Sequence, residues 1–302
     1  MKLDLKPYEY NDLIPNGQVF TTELEMKPYP DGRRRTIHIW LPGDYDGVKR
    51  FPVVYMHDGH ALFRTPSPRM AMDPDRVLTG LAKEGISAIV VGIDSSEFRM
   101  TELTPPLPKG ETGIVINGHK TPVFTDESTT DLYADFIIDY LKPMVDETFM
   151  TLPDAANTCV AGVSAGGSAS FYMILRNPEV FSSALVYSPG FPLFDLDKLL
   201  QYLDEYDYSK LAGHRIAFYN GDQSIDRTSV DYVLAVYRKM REKGMDRLQN
   251  MFILDTRQSH YAYAWTKYMP EMLRFVFAED NSEPQNDPMP PMPPRPRMEE
   301  AK

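Results

Sequence analysis

The sequence predicts an α/β protein in which a mostly parallel central sheet is flanked by helices on both faces. Short apolar runs alternate with longer amphipathic segments along the chain, and glycines such as Gly59, Gly92, Gly162 and Gly221 fall at or near the ends of those runs. Size agrees, since 302 residues at 42% hydrophobic and 25% charged suffice for one large α/β domain.

The runs at 36–41, 51–56, 88–93, 158–161, 183–187, 215–219 and 251–254 are expected as strands. Between most of them, 131–146, 166–176, 229–243 and 262–277 carry apolar residues at spacings of three and four, the mark of helices that bury one face. Residues 100–130 fit no element and are rich in Pro, Thr and Gly; so long a loop in a compact domain is expected at the rim of a pocket. The ordered domain is expected over 1–278. Beyond it, 279–302 are rich in Pro and Met, lack apolar area to pack, and are expected to be disordered.

Charge and composition exclude several partners. A formal net charge of −11 repels nucleic-acid backbones and anionic membranes, and the one basic cluster, Arg33-Arg34-Arg35, is read as a solvated turn before a strand. No run approaches eighteen apolar residues, and the start lacks the pattern of a secretory leader, so a cytoplasmic location is expected. The single cysteine, Cys159, rules out an intrachain disulfide and a cysteine-rich zinc site.

The strongest local signal is Gly162-Val163-Ser164-Ala165-Gly166, entered from a strand and left through a helix. This is the pattern of a nucleophile elbow. A serine on a strained strand-to-helix turn projects above the sheet at a helix N-terminus, and flanking glycines are required where a Cβ would strike neighbouring backbone. Ser164 is therefore the candidate nucleophile, and the α/β-hydrolase fold is the expected scaffold. Its partners should follow in the order acid, then histidine. Of the two later histidines, His214 precedes a strand, at the wrong edge of the sheet, whereas His260 follows the last strand and precedes the final helix. His260 is the candidate base. The acid should lie just past the strand at 215–219, where Asp222 and Asp226 both qualify; Asp226 is preferred because Asp222 sits inside the turn, where aspartate bonds its own backbone.

With these residues in place, the sequence resembles the "putative esterase" family that includes esterase D, enterochelin esterases and feruloyl-type carbohydrate esterases. The resemblance lies in 35–42, in 51–63 with Asp58-Gly59-His60, in 89–94, in 141–146, in the elbow with 177–181 and Ser188-Pro189, and in His260 followed by Trp265. It implies an oxyanion hole formed by the backbone N–H groups of His60 and Ala165. The spacing of Asp226 after Gly221 also resembles the family's. Three positions depart from the pattern: His60 stands where the family more often has Gln, Ala165 where it often has Met, and residues 256–259 replace a glycine-rich approach to the histidine.

The expected activity is hydrolysis of a small, sugar-linked or siderophore-type ester through an acyl-enzyme, with no cofactor and no metal. An acyltransferase, or a binding protein that has lost turnover, are the alternatives on the same scaffold. The cluster His57-Asp58-Gly59-His60 contains metal-ligand types, but neighbouring strand residues point to opposite faces, so no metal site is expected there.

Overall fold

The structure, a computed structural model, describes residues 2–66, 71–108, 115–116, 119–120 and 127–277. Its strands are β1 (Lys6–Pro7), β2 (Gln18–Glu25), β3 (Arg34–Leu41), β4 (Val53–His57) and β5 (Ile89–Ile93), then the separate short pair β6 (Val115–Ile116) and β7 (His119–Lys120). They continue with β8 (Thr158–Val163), β9 (Ser183–Tyr187), β10 (Arg215–Gly221) and β11 (Asn250–Asp255). The main sheet has the order β1-β2-β3-β5-β4-β8-β9-β10-β11. Its β1/β2, β2/β3 and β3/β5 pairings are antiparallel and every pairing from β5 to β11 is parallel.

The helices are α1 (Pro74–Leu81), α2 (Arg99–Leu103), α3 (Thr130–Asp135), α4 (Lys142–Thr148), α5 (Ala165–Arg176), α6 (Leu196–Glu205), α7 (Asp226–Glu242) and α8 (Ala262–Phe277). They cover both faces because the strands alternate. In β4, Val53 and Tyr55 face the core on one side of the sheet, the side that also buries Val145 of α4, Phe171 of α5, Leu199 of α6 and Val233 of α7. Val54 and Met56 pack on the other face with Leu78 of α1 and Met272 of α8.

The helix expected over 131–146 is interrupted. Residues Phe136–Leu141 form a π-helical stretch between α3 and α4. Pro143 follows at the start of α4, has no N–H for the carbonyl of Asp139 and would collide with it in a regular turn, so the preceding turn widens. The expectation for 100–130 is also revised in part: α2 and its flank to Pro108 are ordered and tied in by Asp195 N–H to the carbonyl of Pro108 at 2.9 Å. Residues 109–114, 117–118, 121–126 and the tail at 279–302 lie outside the described residues.

The parallel strands bring their carboxyl ends to one edge, the edge at which α/β sheets build sites. The turn after β4, Ser164 after β8, Ser188 after β9, Asp226 after β10 and His260 after β11 all meet there.

Candidate active site

Ser164 occupies the single residue between β8 and α5, at φ 60° and ψ −123°, a conformation that a non-glycine residue adopts only under constraint. Three main-chain bonds supply it: Ser164 N–H to the Tyr187 carbonyl at 3.0 Å, Gly190 N–H to the Ser164 carbonyl at 3.0 Å, and Ser168 N–H to that same carbonyl at 3.1 Å. The glycine spacing has a steric cause. A Cβ on Gly162 would lie 2.6 Å from the backbone of Gly166, closer than any real contact, so strand and helix can approach only without it.

Of the two candidate acids, the structure brings Asp226 to His260 and leaves Asp222 apart. Asp226 is the first residue of α7 and 1% exposed. Its Oδ1 lies 2.6 Å from His260 Nδ1, while Oδ2 accepts from Ser188 Oγ at 2.8 Å and from Gly221 N–H at 3.2 Å. The helix N-terminus adds favourable dipole to an ionised carboxylate there. Asp222 is half-buried and bonds the Gln223 side chain through Oδ1, not its own backbone.

His260 is carried by a loop that the departure at 256–259 does not loosen. The Gln258 carbonyl accepts from both Asp222 N–H at 3.1 Å and Gln223 N–H at 3.0 Å, pinning the histidine's loop to the turn that leads into Asp226. Trp265 packs edge-on against the imidazole, ring centroids 4.9 Å apart at 87°. Because Nδ1 bonds a carboxylate it carries the ring proton, and Nε2 is left as an acceptor.

Ser164 and His260 line one cleft of about 340 Å³ together with His60, Arg99, Met72 and Trp265. On its far side Asp58 adopts a left-handed conformation (φ 58°) and leads into the tight turn Gly59–Ala61. A Cβ on Gly59 would meet the Gly92 backbone at 2.7 Å, so only glycine brings this turn against β5. The N–H of His60 lies within this turn and that of Ala165 at the first position of α5. Neither has an acceptor among the described residues, which leaves both able to donate to an anionic oxygen.

The three side chains of the His57-Asp58-His60 cluster diverge. His57 is buried beneath the elbow with Nδ1 3.0 Å from Tyr133 Oη; burial pulls its pKa down to about 4, with the Arg99 charge adding and the Asp58 charge opposing. Asp58 is clamped by Arg99 Nε at 2.6 Å and Nη2 at 2.8 Å. Burial alone would raise the pKa of that carboxyl, but the two bonds and the charge of Arg99 outweigh it and hold it below the ordinary range. The His60 imidazole is exposed, with Nδ1 3.4 Å from Ser95 Oγ. Among the described residues no three His, Cys, Asp or Glu side chains gather as a metal site, and no helix is long and apolar enough to cross a membrane. His214 lies at the opposite edge of the sheet, its two ring nitrogens against the carbonyls of Pro178 and Ala212. Arg99 is a charged cleft residue that sequence reasoning did not single out.

Comparison with known proteins agrees with this architecture. Residues 31–275 match the family described as "Putative esterase". An endo-1,4-β-xylanase/feruloyl esterase of Xylanibacter ruminicola is 26% identical over 184 residues, which is 58% of this chain and 22% of that protein, so the chain spans under a quarter of that relative's length. Among solved structures, the ferric enterobactin esterase of Salmonella typhimurium superposes with a TM-score of 0.63 at 19% identity, covering 90% of this chain and 59% of that one. A ferulic acid esterase of the anaerobic fungus Anaeromyces mucronatus gives 0.58 at 18% identity, covering 91% and 98%. At these identities the superpositions speak for the α/β-hydrolase fold, while the match across most of its length makes this chain a member of the "Putative esterase" family.

Proposed function

We propose that this chain is a serine carboxylic-ester hydrolase in which Ser164 is the nucleophile, His260 the general base, Asp226 the orienting acid, and the N–H groups of His60 and Ala165 the oxyanion hole. The observation that carries this reading is the 2.6 Å contact between Asp226 Oδ1 and His260 Nδ1 at the cleft that also holds Ser164.

Ser164 Oγ attacks the ester carbonyl while its proton passes to His260 Nε2, the nitrogen left free by the bond at Nδ1. The carbonyl oxygen becomes an oxyanion between the two N–H groups. His260 then returns the proton to the departing alcohol, leaving an acyl group on Ser164. Water, deprotonated by the same imidazole, releases the acid. A cleft of about 340 Å³ sits at the small end of ligand pockets, and suits a single ring or short acyl group at the reacting centre with the remainder outside. The relatives named for feruloyl and enterobactin esters make sugar-linked aryl esters and siderophore-type esters the substrate classes to try first.

The test is labelling with a fluorophosphonate followed by peptide mapping, with turnover of aryl and acyl esters measured alongside. Modification of Ser164, and loss of both labelling and turnover in a folded Ser164→Ala variant, is the expected result. A folded Ser164→Ala protein with near-normal turnover would overturn the assignment. Labelling without release of acid, but with transfer to an added alcohol, would favour an acyltransferase.

A further inference from the structure

We propose that Ser188 and Trp265 are positioning residues, forming a directed relay from Trp265 Nε1–H through Ser188 Oγ–H to Asp226 that holds acid and base in one geometry; this rests on the serine-hydrolase reading above. The direction of the relay follows from the chemistry of its members. An indole nitrogen can only donate, and it lies 3.0 Å from Ser188 Oγ, so that oxygen accepts. The one hydroxyl proton is thereby left for Asp226 Oδ2, 2.8 Å away. With Gly221 N–H on the same oxygen, Oδ2 is filled from two sides and the carboxylate presents Oδ1 alone to His260. Trp265 acts on both partners at once, since its ring also packs edge-on against the imidazole.

The backbone of Ser188 points the same way. It is 2% exposed and sits at φ 39°, a left-handed conformation that is strained for a non-glycine residue. Glycine would meet the same main-chain demand, a 2.7 Å bond from Ser188 N–H to the Tyr219 carbonyl, without that cost. What serine adds is the hydroxyl.

Removing the hydroxyl takes a donor from Asp226, makes its carboxylate more basic and so strengthens its hold on a protonated His260. The pKa of the imidazole should rise. The other charged and titratable groups around the pair are Arg227 on α7, Tyr219 and Asp222 on β10 and its turn, and Asp255, paired with Lys267 and Tyr268, on β11 and α8. Arg257 lies on the histidine's own loop, and His57, Asp58, His60 and Arg99 face it across the cleft. None is altered by the variants below.

The experiment compares wild type, Ser188→Gly, Trp265→Phe and the double variant, by ester turnover against pH and by NMR titration of the His260 imidazole. Ser188→Gly relieves the backbone, so a folding defect does not confound it. It should lower kcat about tenfold, the scale of one hydrogen bond to a charged group, with KM within about twofold because Ser188 does not line the cleft. The acid limb of the profile and the His260 titration should both move to higher pH. Trp265→Phe should act in the same direction more weakly, and the double variant should titrate like Ser188→Gly, because phenylalanine keeps a ring against the imidazole and the indole reaches Asp226 only through the hydroxyl. A Ser188→Gly protein with unmoved titration and normal kcat overturns the relay. The NMR titration is read without turnover, so absence of labelling at Ser164 in wild type would sink the hydrolase reading separately.

Discussion

Replacing Asp226 by asparagine sets one acceptor where three donors converge. His260 Nδ1 stands at 2.6 Å, Ser188 Oγ at 2.8 Å and Gly221 N–H at 3.2 Å from the present carboxylate. An amide that keeps its oxygen toward Ser188 and Gly221 satisfies two donors and turns its NH₂ to the imidazole. Turned the other way, it sets NH₂ against two donors in a buried site, at about 1–3 kcal/mol for each group left unsatisfied. The first orientation therefore wins, and its consequence is chemical. His260 Nδ1 must accept, the ring proton moves to Nε2, and the nitrogen facing Ser164 can no longer take a proton. The expected loss in kcat is roughly 10⁴-fold, equivalent to about 5 kcal/mol of barrier, with the fold intact. Asp222→Asn is the matched control: its side chain bonds only Gln223 among the described residues, so turnover and Tm should stay close to wild type. Aryl-ester kinetics and thermal melts of both variants decide the matter. An Asp226→Asn protein within about tenfold of wild-type kcat would refute the reasoning, and a dead but stable Asp222→Asn protein would move the acid to the turn.

Gly162→Ala should destabilise the chain by about 1–3 kcal/mol in urea and abolish Ser164 labelling, because the new methyl meets the Gly166 backbone at 2.6 Å; unchanged melting would contradict the close packing of strand and helix. Asp75 is buried, and burial first and the Asp73 charge second push its pKa up to about 6 from the usual 3.8. Since the folded value exceeds the unfolded one, stability is full below about pH 4 and lost as pH rises through 6. Asp75→Asn should accordingly raise Tm above pH 6, by the equivalent of up to about 3 kcal/mol, with the gain fading toward pH 4; a pH-independent change would refute this. Ending the chain at Phe277 should leave Tm and small-ester kinetics unaltered, since 279–302 lack the composition to pack; a clear fall in Tm would show that the tail docks.

Which parts of the site were legible in the sequence follows from how local their causes are. The elbow is a steric problem solved within five residues, so Gly162, Ser164 and Gly166 announce it, and His260 is fixed by chain order and by the edge of the sheet at which it emerges. The sequence ranks Asp226 ahead of Asp222 on turn chemistry but does not show the contact with His260, because helix α7 begins three residues earlier than its apolar pattern suggests and carries Asp226 at its first position. Arg99 is invisible for a different reason: nothing near it in sequence sets it apart, and it meets Asp58, 41 residues away, only because β4 and β5 are neighbours in the sheet. Strand β2 is not legible because Gln18–Glu25 has neither an apolar run nor strict alternation: Val19 and Thr22 are buried three residues apart, while Gln18 and Glu23 stay exposed. Helix α6 carries a local signal in its sequence, Asp195 accepting from Lys198 N–H ahead of an amphipathic run.

The Gln258 carbonyl holds two amide protons of the neighbouring turn, and that contact is made entirely by main chain. The loop bearing His260 is thus addressed by its peptide units, and the side chains at 256–259 are left as free ground on which relatives can diverge, or a designer can diversify, without letting His260 and Asp226 drift apart. The vulnerable positions lie on the other loop. Proline at 222 or 223 would erase one of the two amides, and a histidine more than thirty residues downstream would lose its footing through a change that touches neither partner.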